Sequence, residues 1–232
     1  GIAQAPGAMT LTQTSRSAIV NWQSFDVGAA EQLRLVQPDA AAAMLARETG
    51  GTPSSLQGAL KADGKLFLVN PQGVVIGRDA SALGINISLQ PFINIMRDPV
   101  WSRAYNLFGE DPLLVGAIGA AQIQGIQSQG VMAEAKHYMA YNGGNDVVVG
   151  QQALHEIYAA PFADAVKAGV ASIMCSYNKV NGSFACGNRD TLQTLLKQEI
   201  GFRGFVVSDW GANHSPTFVK DGLDLEMAGY TT

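Results

Sequence analysis

Short apolar runs separated by polar and glycine-rich turns make up most of the chain, and their spacing changes near Gly77 to Leu83. Before that point apolar and polar residues alternate through Ala18 to Val27, Gln32 to Val36 and Lys65 to Val69, the period of strands with one buried face. The last of these follows a turn at Ala62-Asp63-Gly64. The alanines of Asp39 to Arg47 favour helix by propensity, but this stretch lies between strand-like runs, so strand or loop is expected there. A β-rich first module is the result.

From Gly84 onward strand-like runs recur at Ile85 to Leu89, Gly130 to Ala135, Gly169 to Met174 and Gly204 to Ser208. Between them Asp111 to Gln127, Gln152 to Lys167 and Arg189 to Glu199 carry apolar residues at spacings of three and four, the last preceded by Asn188, a capable N-cap. Strands alternating with helices predict a parallel α/β sheet or barrel. Polar residues close each run: Arg97-Asp98, Lys136-His137, Ser176-Tyr177-Asn178 and Asp209-Trp210. Ligands of such folds bind at the C-terminal ends of strands, so these clusters are expected to converge on one site.

Composition narrows the classes. The 232 residues are 47% hydrophobic and 15% charged, enough apolar content for a packed core. A net charge of -4 supplies no basic surface for a phosphate backbone, so nucleic acid is not an expected partner. No stretch approaches the roughly 18 apolar residues of a membrane span. The 26 glycines favour tight turns over a helical bundle. Two cysteines are too few for a disulfide framework or a cysteine-based zinc site, and neither metal nor cofactor is expected. Ala3-Gln4-Ala5 has the small-x-small form found at signal-peptide cleavage sites.

Arg97, Arg103, Lys136 and His137 offer donors and Asp98 and Asp209 carboxylates, an inventory suited to a neutral polyhydroxylated ligand such as a sugar. A strand-end carboxylate such as Asp209 can attack an anomeric carbon; the same residue can also simply cap a following helix. The stretches Arg97-Asp98-Pro99-Val100-Trp101-Ser102-Arg103, Phe108-Gly109-Glu110-Asp111-Pro112, Lys136-His137-Tyr138, Cys175-Ser176-Tyr177-Asn178 and Gly204 to Ala212 resemble, in order, glycoside hydrolase family 3. The resemblance covers about Ala82 to Gly229. It implies a TIM-type barrel, retaining hydrolysis of β-glucosides or oligosaccharides, and roles by position. Asp209 stands at the nucleophile, Lys136, His137 and Arg103 at sugar-binding positions, and Tyr177 and Trp210, beside the nucleophile, are expected to bind substrate as well. It also implies that Cys175 and Cys186 close a disulfide loop, roughly 2 to 3 kcal/mol if formed; two separate buried thiols are the alternative.

Departures accompany the matches. Ser102 stands where the family has glycine, and Gly143-Gly144-Asn145-Asp146 replaces Gln-Glu and a following arginine. The family's opening strands and its acid/base region are not recognisable, so impaired turnover is expected. Glu226, Glu110 and Glu134 are nominees for the acid, each read first as a surface or ion-pair residue. His155 reads as scaffold, and His214 lies near the site without a role.

The first module has a different likeness. Ile19 to Gly28, Val36-Gln37-Pro38, Thr49-Gly50-Gly51 and Phe67 to Gly77, with its Asn-Pro-x-Gly turn, resemble the two-partner secretion domain of filamentous haemagglutinin-type exoproteins over about Gly7 to Gly77. That implies the start of a right-handed β-helix and an outer-membrane secretion partner. The expectation is therefore a chimera: residues 1–79 β-rich, residues 80–232 a partial barrel. Its open edges predict self-association. A glycosidase-like hydrolase and a secreted export module with a passive passenger are the competing functions, with a chain of no selected function as a third; both resemblances imply a secreted or periplasmic location.

Overall fold

The computed structural model describes residues 1–48, 57–69 and 72–227. Thr49-Gly50-Gly51 and the Asn70-Pro71 half of the expected turn lie outside the described residues. The chain divides into two compact units, Gly1–Val75 and Ile76–Thr232.

The first unit holds β1 (Ile2–Ala5), β2 (Ala8–Thr12), β3 (Ser17–Trp22), β4 (Gln32–Val36), β5 (Ala43–Glu48), β6 (Ala59–Ala62) and β7 (Lys65–Val69). From β2 onward successive strands alternate between two sheets, β1-β2-β4-β6 and β3-β5-β7. Apart from the antiparallel β1–β2 pair, every pairing in these two sheets is parallel. Between the sheets lie Leu11, Phe25, Val27, Leu33, Leu35, Met44 and Ala46. The alternation in β4 puts Leu33 and Leu35 inward and Gln32 and Arg34 outward, as its period demands. Ala43–Glu48 is a strand despite its alanines, because it pairs with β3 on one side and β7 on the other. Sheet pairing outweighs a few tenths of a kcal/mol per residue of helix propensity. Ala3-Gln4-Ala5 forms most of β1, paired with β2.

A polar ladder runs inside this unit. Gln37 Nε2 donates to Gln13 Oε1 at 3.1 Å and to the Lys65 carbonyl at 3.2 Å, while its Oε1 accepts from the Gly64 amide at 2.7 Å. Gln13 Nε2 donates to the Ala43 carbonyl at 3.0 Å. Gly64 is required here, because a Cβ would lie 2.5 Å from the Ala42 carbonyl oxygen.

The second unit begins within a helix, Gln72–Ala82, over residues read as the end of the secretion-domain likeness. Its main sheet is parallel, ordered β14 (Phe205–Ser208), β11 (Ser172–Cys175), β9 (Met132–Tyr138), β8 (Ile87–Ser88). A second, three-stranded sheet joins β10 (Asp146–Val147), β12 (Lys179–Val180) and β13 (Ser183–Phe184). The expected strands are present, with ends shifted by two or three residues in places. Helix Pro112–Gln127 starts where Asp111 Oδ1 accepts from the Leu114 amide at 2.9 Å with Pro112 in the first turn. Its Gly116 leaves room for Asp164 of helix Ala160–Lys167, which a side chain there would strike. The helical stretches Leu154–Ala159 and Asp190–Glu199 are wound as π-helix. Asn188 accepts from the Thr191 amide at 3.2 Å, the cap expected of it. Ile93, Ile95, Ile123, Ile126, Phe162, Ile173 and Leu192 form the fully buried centre of this unit's core.

Candidate active site

The site is assembled at the C-terminal ends of β9, β11 and β14, where β-sheet pairing ends and side chains are released into the mouth. The Phe92 segment pairs with Lys136, and the Ile93 amide donates to the Lys136 carbonyl at 2.8 Å. This brings Asn94 against the next residue. Asn94 Oδ1 accepts from the His137 amide and its Nδ2 donates to the His137 carbonyl, each at 2.8 Å. The His137 ring is packed edge-on to Phe92 at 4.5 Å and to Tyr141 at 5.3 Å. The Arg103 guanidinium lies 5.4 Å from the Phe92 ring and 5.7 Å from the Tyr141 ring. One aromatic pair thus orients both a histidine and an arginine.

Asp209 follows β14 directly and is 2% exposed. Its Oδ1 accepts from the Tyr177 hydroxyl at 2.9 Å and from the Trp210 amide at 2.8 Å. Its Oδ2 lies 3.3 Å from His137 Nε2, but no aligned hydrogen bond reaches it. The helix-cap reading of Asp209 is set aside: a turn follows it, and the next helix begins at Phe218. Tyr177 stands after β11 and Trp210 is half-exposed at the rim.

The electrostatics follow from burial and two cationic neighbours, Lys136 and Arg103. Burial first, then Lys136 and Arg103, push the His137 imidazole down to about 2, so the ring is neutral at physiological pH. Burial also lowers the Lys136 ammonium, opposed by the Asp209 carboxylate. The Tyr177 phenol is raised by burial and by its bond to Asp209, which keeps it a donor. Glu134 is raised mainly by burial; it accepts from Ser172 Oγ at 2.8 Å and is 1% exposed.

Not every sequence candidate converges. Arg97 and Asp98 are exposed, and Asp98 Oδ1 accepts from the Val100 amide at 3.0 Å, so this pair forms a turn rather than a sugar contact. Glu110 is exposed, and Glu226 accepts from Asn213 Nδ2 at the surface. His155 bonds the Gln151 carbonyl and lies 3.2 Å from Glu199, a scaffold contact. His214 stacks on Phe184 at 4.0 Å. Cys175 and Cys186 are disulfide-bonded, which decides the alternative left open by the sequence. Asn94, Phe92 and Tyr141 were missed. They sit outside strand-end polar clusters, and only the approach of Phe92 to β9 brings them to His137. Among the described residues no three His, Cys, Asp or Glu side chains gather as a metal site, and no helix is long and apolar enough to cross a membrane.

Comparison with known proteins agrees with this geometry. The family profile described as "Glycosyl hydrolase family 3 N terminal domain" matches residues 9–220, starting well before the expected Ala82. A probable β-glucosidase L of Aspergillus terreus is 44% identical over 169 residues, which cover 70% of this chain and 23% of that protein. Beta-glucosidase 1 of Aspergillus aculeatus is 41% identical over 181 residues, covering 69% and 21%. The structure of DesR, a β-glucosidase from Streptomyces venezuelae in complex with D-glucose, superposes with a TM-score of 0.67 at 41% identity, over 70% of this chain and 21% of that one. The chain therefore spans about a quarter or less of the length of these relatives. The match over most of its residues, on an α/β framework with strand-end polar side chains, places this chain in glycosyl hydrolase family 3, within its N-terminal domain.

Proposed function

We propose that the chain supplies the nucleophile side of a retaining β-glucoside hydrolase. The observation that carries this is the setting of Asp209. Two donors hold Oδ1 and leave Oδ2, beside neutral His137, as the uncommitted oxygen. Attack by that oxygen on the anomeric carbon forms a glycosyl ester as the bond to the aglycone oxygen breaks; water then cleaves the ester with retention. His137, Lys136 and Arg103 hold the sugar hydroxyls as donors, and Trp210 covers the rim. The acid that protonates the leaving oxygen is not assigned to any residue. The Cys175–Cys186 bond supports an extracytoplasmic location.

Incubation with a 2-fluoroglucosyl donor carrying an activated leaving group tests this, because the good leaving group reduces the need for the acid. A mass increase of one fluoroglucosyl unit, mapped to the Asp209 peptide, is expected. A folded sample that stays unlabelled overturns the reading.

A second reading is favoured by the first unit alone. Its β2-β3, β4-β5 and β6-β7 pairs stack in parallel across two sheets, the connectivity of three successive coils of a β-helix. This reading takes the first unit as a haemagglutinin-type export module with an outer-membrane partner and the second unit as passenger, against the family profile that runs through both units from residue 9. Secretion lost in Asn70→Ala and kept in Asp209→Ala is the result this reading requires.

A further inference from the structure

A cavity of about 610 Å³ adjoins the proposed nucleophile by way of Tyr177. Trp101, Tyr141, Tyr177 and Phe184 supply its aromatic lining, and Lys179 and His214 its basic groups. Tyr177 belongs to both places, since its hydroxyl holds Asp209 while its side chain lines the cavity. Tyr141 is likewise shared, stacked edge-on against Trp101 at 5.0 Å and against His137. The leaving group of the proposed reaction is assigned to this space because the cavity adjoins Asp209 through Tyr177.

The cation in the lining is placed unusually. Lys179 on β12 is the register partner of Asp146 on β10, which would favour an ion pair between them. No such pair forms. Asp146 Oδ1 accepts from the Gly182 amide at 3.0 Å, and the Lys179 ammonium lies 4.7 Å from the centre of the Phe184 ring. Among the described residues no carboxylate lies within 4 Å of that ammonium. His214 stacks on the same ring. Asp146 also lines the cavity, its Oδ1 held by the Gly182 amide, so the aromatic wall carries one unpaired cation at Lys179 that complements a flat ring bearing an anionic group.

We infer that the leaving-group side of this site takes an aryl aglycone bearing a carboxylate, with Lys179 as the residue that selects for it. The assignment rests on the glycosidase reading for its place in the reaction, although the cavity can be tested by binding alone. The two ligands are 4-carboxyphenyl β-D-glucopyranoside and its neutral isostere, 4-carbamoylphenyl β-D-glucopyranoside, titrated calorimetrically into the 232-residue chain at low and high salt. The carboxylate is expected to bind about three- to fivefold more tightly than the amide, the range of a solvent-reached ion pair, and the ratio to shrink in 0.5 M NaCl. Lys179→Met is expected to bring the ratio to about one, and Lys179→Arg to restore most of it.

Equal affinities in the unaltered chain, or a preference that survives Lys179→Met, overturn the inference. Measurable binding of neither glucoside overturns it as well. The covalent label on Asp209 separates its fate from that of the glycosidase reading. A label with equal affinities discards only the aglycone assignment. No label together with a Lys179-dependent preference keeps the cavity's selectivity and discards the hydrolase.

Discussion

In the first unit Gln37 is buried with both ends of its amide engaged, to Gln13, Gly64 and the Lys65 carbonyl. In the second unit His137 and Asp209 are buried more deeply, yet His137 Nδ1 and Asp209 Oδ2 have no hydrogen-bond partner. A buried polar group without a partner costs about 1–3 kcal/mol, more if charged. A fold that only needed stability would satisfy such groups, as the glutamine ladder does. Gln122 Oε1 and Glu134 Oε1 are unpartnered as well, so the feature points to a ligand only where it coincides with a strand-end cleft, as at His137 and Asp209.

The strongest way to break this contrast is Asp209→Asn. The amide keeps the size of the side chain but removes the negative charge, and labelling by the fluoroglucosyl donor is expected to fall by about 10³ or more, with an unchanged far-UV spectrum. Gln37→Ala acts on the other side of the comparison. It strands Gln13 and the Gly64 amide, and is expected to destabilise the first unit by about 2–4 kcal/mol in urea unfolding while leaving the Asp209 labelling rate alone. If that labelling falls as well, the division of roles between the units is wrong.

Tyr177→Phe sharpens the picture at the site itself. Loss of one charged hydrogen bond to Asp209 Oδ1 is expected to slow labelling about tenfold or somewhat more, with the fold intact. The last test concerns His137 and pH. Its folded value is pushed down to about 2, well below the ordinary 6.5. Below pH 6.5 the unfolded chain therefore binds a proton that the native chain does not. Stability falls on this account as pH drops from 6.5 toward 2, and by pH 5 the loss approaches about 2 kcal/mol. His137→Gln is expected to flatten that part of the pH profile; an identical profile in both proteins would falsify the neutral, buried assignment.

Much of the second unit was legible. The spacing in Asp111 to Gln127, followed by Gly130 and the apolar Val131-Met132-Ala133, has one sensible outcome, and Asp111 and Pro112 mark its start. Strand-end polar clusters pointed to Lys136, His137, Tyr177 and Asp209 because side chains at the ends of parallel strands face a common mouth. The same rule misplaced Arg97 and Asp98, because the chain after β8 runs on through Phe92 to Ile95 and leaves this pair exposed at the start of the turn from Asp98 to Trp101. Helix Gln72–Ala82 was not legible, its Gly-Val-Val-Ile run having strand composition.

What the sequence by itself determined was local: the period of each run, the caps, the break in texture between two units, and which residue types stand at the strand ends. These depend on neighbours a few residues away, so they can be read along the chain. Only the tertiary structure decided which of those ends meet. Asn94 grips His137 across 43 positions, Tyr177 reaches Asp209 across 32, and Cys175 joins Cys186. It also left Lys179 over Phe184 instead of beside Asp146. The reason is that register, ring packing and burial are properties of strands and loops brought together from distant parts of the chain, and no periodicity along the chain encodes them.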